Sequence, residues 1–142
     1  VAAIFLLLLL AGLAAFMANI LSVTHINLAA DIGGSRAYQA ARAGAEWGMF
    51  QLDPNAQSSS LPNCAGAAGT LTAIPGHSVV VGCSAYPSDT TVYREGGKQI
   101  RIFRIVATAT ATGVRAPGIE RQVVVTLEKC RDAAITAPPY DC

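Results

Sequence analysis

Apolar side chains crowd the start of the chain and then thin into periodic patterns. Residues 1–20 read VAAIFLLLLLAGLAAFMANI, and no residue before Asp31 carries a formal charge. Val1, Ile4, Phe5, the five leucines Leu6, Leu7, Leu8, Leu9 and Leu10, then Leu13, Phe16 and Met17, make eleven large apolar side chains. Burying them is worth roughly 15 to 30 kcal/mol, more than the net stability of a typical small domain. A run of this kind needs lipid or a protein partner to cover it. After Asp31 the chain turns amphipathic and rich in small residues (SRAYQAARAGAEWGMFQL), and no proline occurs before Pro54.

The pattern predicts one helix over residues 1–52, with an apolar segment over 1–30 and an amphipathic stalk over 31–52. Its length, at about 1.5 Å per residue, is about 78 Å against a bilayer hydrocarbon core of about 30 Å, so the remainder should protrude. Gly33 and Gly34 mark the expected local break, because glycine costs about 1 kcal/mol relative to alanine inside a helix; the other reading is that these small residues serve close packing between neighbouring copies. Tyr38, Ala41, Ala45, Met49 and Leu52 fall on one apolar face with Ala40, Gly44 and Trp47 beside it, the face expected to pack against the following domain. Arg42 and Glu46 are spaced to pair along the helix. Asp53 and Pro54 should stop it.

Period two takes over further along. Residues 77–85 (HSVVVGCSA), 98–112 (KQIRIFRIVATATAT) and 119–128 read as strands. In the second, Ala107, Ala109 and Ala111 alternate with Thr108, Thr110 and Thr112; in the third, Ile119, Val123, Val125 and Leu127 face one way. Residues 87–97 form a turn region ending in a hairpin turn at Gly96-Gly97, and the loop from Cys64 to Ile74 has room for a fourth short strand. The expected fold class is α+β: a long N-terminal helix whose C-terminal half packs on a small antiparallel sheet, with residues 53–142 as one small domain.

Composition narrows the function. Past Leu52 the chain carries eight Lys or Arg against seven Asp or Glu, so no basic field points to nucleic acid. The four cysteines, Cys64, Cys83, Cys130 and Cys142, include no CxxC pair, and the two histidines are His25 and His77. This argues for disulfides over a metal site, and hence for an oxidising compartment. Of the three possible pairings, Cys64 with Cys83 and Cys130 with Cys142 close the shortest loops. Ser58 to Ser60 have no local histidine or acid to form a triad, and Gly96-Gly97-Lys98 lacks the spacing of a phosphate loop. No cofactor and no enzymatic activity are expected.

The helix resembles those of type IV pilin-like proteins. VAAIFLLLLLAGLAAFM followed by SRAYQAARAGAEWGMFQL is similar to the minor pilins of the MshP and PilX kinds, which belong to MSHA-type pilus biogenesis. The resemblance covers residues 1–52, while the domain after it is similar by architecture. It implies the type IV pilin fold and a structural filament subunit on the bacterial surface, anchored in the inner membrane before assembly. Its partners would be other copies of itself or other pilins, met through a filament core of Ile4, Phe5, Leu6, Leu8, Leu9, Leu10, Leu13, Phe16, Met17 and Ile20. Pilin families carry Glu at the fifth mature position; with Val1 taken as the mature start Phe5 would stand there, and in any frame no acid precedes Asp31, which suits a minor or tip subunit. Two other readings stay open. One is a tip pilin in adhesion or ligand binding, through loops 56–73 and 130–142; the other is an unrelated single-pass membrane protein with a small exported domain.

Overall fold

Fifty-one residues form one α-helix, α1 (Ala2–Leu52). The computed structural model describes residues 2–112 and 118–142, without the Ile26 side chain; Val1 and most of the connector expected over 113–118 lie outside the described residues. The helix runs through Gly33 and Gly34 without the break expected there. The reason is packing: Gly34 is buried, and the Arg121 guanidinium sits where a Cβ would project, with Nη2 2.9 Å from that position. Asp53 then turns out of helical geometry (φ −152°, ψ 75°), and Pro54 opens a short 3-10 turn, Pro54–Ala56.

Among the described residues five strands follow: β1 (Gly69–Leu71), β2 (His77–Tyr86), β3 (Tyr93–Glu95), β4 (Lys98–Ala111) and β5 (Glu120–Asp132). All pairings are antiparallel, and β4 is the centre of the sheet. Its one edge takes β2, with Val81 opposite Ala107, and further on β3, with Tyr93 opposite Ile100. Its other edge takes β5 along nearly the whole length, from Lys98 opposite Asp132 to Thr110 opposite Glu120. β1 completes the sheet beside β2. β3 and β4 join at Gly96 and Gly97, with φ of 55° and 83°; two successive positive φ values are the type I′ hairpin geometry that glycine adopts without steric cost. β3 lies within the stretch read from sequence as a turn region, and β5 runs four residues past position 128, so Cys130 sits in a strand.

The odd-numbered side chains of β2, β4 and β5 turn toward α1, and the core forms there. Ala41, Val79, Ile105, Ala107 and Ala109 are fully buried with Ala45 and Val81 almost so, and Trp47, Met49, Val123, Val125 and Leu127 pack round them. A second cluster joins Leu52, Ala67 and Phe103 at the end of the helix. On the helix the buried stripe is Gly34, Ala37, Ala40, Ala41, Gly44, Ala45, Gly48 and Leu52. Small side chains thus let the helix backbone lie close to the sheet. Tyr38 is a correction: expected on this face, it is 48% exposed. The packed stripe is set by Ala37 and Ala41, and Tyr38 lies to one side of it, about 100° round the helix from its neighbour.

Candidate assembly helix and the charged node at its base

The helix has two unlike halves. Over residues 2–32 every described side chain is exposed, and burial begins at Gly34. Ile4, Phe5, Leu6, Leu8, Leu9, Leu10, Leu13, Phe16, Met17 and Ile20 are between 49% and 68% exposed in the isolated chain. Because residues 4–10 are consecutive, they cover the full circumference. A helix apolar all round belongs in a membrane or the interior of a larger protein body, and this one is long and apolar enough to cross a membrane. The apolar surface also continues past the roughly 20 residues that a bilayer needs: Val23, Leu28 and Ile32 are each more than half exposed.

On the packed half, Ala41, Ala45 and Leu52 are buried against the sheet, and Trp47 and Met49 are partly buried beside them. Arg42 and Glu46 form an exposed pair, Nε to Oε1 at 3.0 Å.

Where α1 ends, four charges meet that the sequence reading did not single out. Arg131 Nη2 donates to both carboxylate oxygens of Asp53 at 2.8 and 2.9 Å. Its Nη1 donates to Asp141 Oδ1 at 2.7 Å and to the Cys130 carbonyl at 2.9 Å, and its Nε to the Ser58 carbonyl at 2.8 Å. Lys129 Nζ lies 3.2 Å from Asp53 Oδ2 and 3.4 Å from Asp141 Oδ2. The side chains of Asp53 and Arg131 are only 4% and 5% exposed. Two acids and two bases cancel, and each donor of the Arg131 fork meets an oxygen, which is what a buried ion pair requires to avoid a large desolvation penalty.

The node fastens three distant segments: the end of the helix, the loop after it and the C-terminal tail. Tyr140 N donates to the Ala56 carbonyl at 2.9 Å, holding the tail on the same corner. Disulfides bound both loops, Cys64 to Cys83 and Cys130 to Cys142. Arg101, also buried, reaches from β4 to the carbonyls of Thr91 and Pro62, and the Asp89 carboxylate accepts from Cys64 N at 3.0 Å.

The signal for this node was in the strand phase. Lys129 and Arg131 share odd numbering with Val123, Val125 and Leu127, so a strand continued past 128 turns both cations toward the helix end. Among the described residues no group of three or more His, Cys, Asp or Glu is placed to hold a metal ion. No protein-family model, curated protein or solved structure matches this chain.

Proposed function

We propose that the chain is a structural subunit of a type IV pilus or related surface filament, a pilin-like protein assembled through its apolar N-terminal helix. The observation that carries this is the division of one continuous helix at Gly34, with a bare apolar rod on one side and a helix sealed onto its own domain on the other. The rod sits in the inner membrane before assembly and then moves among the rods of neighbouring copies. Lipid tails and apolar side chains are similar surroundings, so the exchange costs little and suits a motor-driven, reversible process. Val23, Leu28 and Ile32 extend apolar surface beyond the bilayer core, where protein neighbours cover it. The two disulfides fit a domain exported to an oxidising compartment.

Leu8→Asp tests the reading. A carboxylate at the centre of a spanning helix costs about 2.5 to 3.5 kcal/mol in insertion alone, and the same charge must enter every helix contact of an assembled fibre. Sheared surface fibres should contain the wild-type chain and lack the variant. Fibres of normal yield from the variant, or a wild-type chain found only in membranes, would overturn the proposal.

A further inference from the structure

We infer that neighbouring copies dock head to tail, the Asp31 turn of one helix seating in a groove at Arg36 of the next; this rests on the filament reading above. Four charged residues lie on α1, and two of them, Arg42 and Glu46, pair with each other at 3.0 Å. The other two, Asp31 and Arg36, are exposed, and among the described residues neither has an ion-pair partner. The Arg121 guanidinium lies against Gly34, one turn from Asp31, yet forms no pair with it.

Each of the two charges has complementary surroundings. Asp31 is flanked by Leu28 and Ile32, exposed by 53% and 55%, so it is an acid carried on an apolar knob. Arg36 borders a groove between the helix and the start of β2, where Gln39 and His77 supply polar groups round Ala40, Ala43 and Ile74. An apolar floor beside a cation matches an apolar knob bearing an anion.

The five-residue offset decides the kind of contact. It places Asp31 and Arg36 about 140° apart round the helix and about 7.5 Å apart along it. Knob and groove are therefore different patches on different sides of one subunit. A contact made from two different patches is heterologous, and it repeats without closing unless the rotation happens to form a ring. The partner is a second copy of this chain, displaced along the helix axis by about the five-residue rise.

Charge exchange in the full-length chain tests this. The variants are Asp31→Arg, Arg36→Asp and the two together, with the yield of the chain in sheared fibres as readout and Trp47 emission confirming folding. Each single reversal should lower the assembled fraction by about tenfold, as attraction becomes repulsion at every repeat. The double exchange should restore it to within about threefold of wild type, because the pair is re-formed between copies. Wild-type assembly with unaffected single variants would overturn the docking and leave the filament reading standing, as would a double variant no better than the singles, the result expected if Asp31 acted through Arg121 of its own chain. A wild-type chain absent from fibres overturns both.

Discussion

Gly44→Val is expected to destabilise the domain by about 3 kcal/mol, a large share of the net stability of an ordinary domain. Gly44 lies where α1 crosses the sheet most closely. A Cβ there would stand 2.5 Å from Val79 Cγ1, 3.3 Å from Val81 Cγ2 and 3.4 Å from Ala107 Cβ. Val79 and Ala107 are fully buried, so neither can move aside into solvent, and the helix must lift. Two effects compete in the smaller Gly44→Ala change: alanine favours the helix by about 1 kcal/mol, and overpacking a close-packed core costs about 1 to 3 kcal/mol. The contact distance decides for the second, leaving a net loss of about 1 kcal/mol. Gly12→Ala is the control, because nothing lies within 4 Å of its Cβ position, and only the favourable helix term applies. Denaturant titration of the full-length chain in detergent, followed by emission of Trp47, the single tryptophan, should rank wild type above Gly44→Ala above Gly44→Val. Equal midpoints for wild type and Gly44→Ala would show that the helix does not press on the sheet as described.

The same close approach explains what could be read in the sequence and what could not. The helix and the long strands were legible because large side chains recur with the right period: VAAIFLLLLL for a lipid-like rod, and the Ala/Thr alternation at 107–112 for a two-faced strand. The packed face of the stalk was less so. Its contacts are made by Gly34, Ala37, Gly44 and Gly48, residues that weigh little in any search for an apolar face, and Tyr38 drew the face toward itself. Gly34 was read as a weakness when it is the place a guanidinium fills. β3 was hidden because three residues with exposed side chains, Tyr93–Glu95, show no periodicity. The base of the helix was hidden for a third reason: Lys129 and Arg131 look like the end of a strand, and only the pairing with Asp53, 78 residues away along the chain, turns them into part of the interior. Strand phase turns both cations inward, but local pattern does not name the distant carboxylate that meets them.

That interior pairing makes Arg131→Met the second large effect. Breaking a buried ion pair by removing one partner costs about 3 to 5 kcal/mol, since the remaining charge keeps its desolvation penalty without its compensation. Asp53 would retain Lys129 at 3.2 Å, but Lys129 is 20% exposed and offers a point charge where Arg131 offers a two-pronged fork. The expected loss is therefore at the lower end, about 3 kcal/mol. Removing the guanidinium also strips donors from the Ser58 and Cys130 carbonyls and from Asp141, so the tail and the loop after the helix should loosen together. Lys129→Met should cost about 1 kcal/mol or less, as a partly exposed pair does. The informative variant is Asp53→Leu with Arg131→Met, which removes both charges and leaves apolar groups of similar size. In a double-mutant cycle by denaturant titration it should be more stable than the sum of its singles by about 1 to 3 kcal/mol, the coupling of groups in one buried network. Strict additivity would mean that Asp53 and Arg131 act independently, and the fastening of helix end, strand and tail would have to be sought in Lys129, the Tyr140–Ala56 hydrogen bond and the Cys130–Cys142 bond.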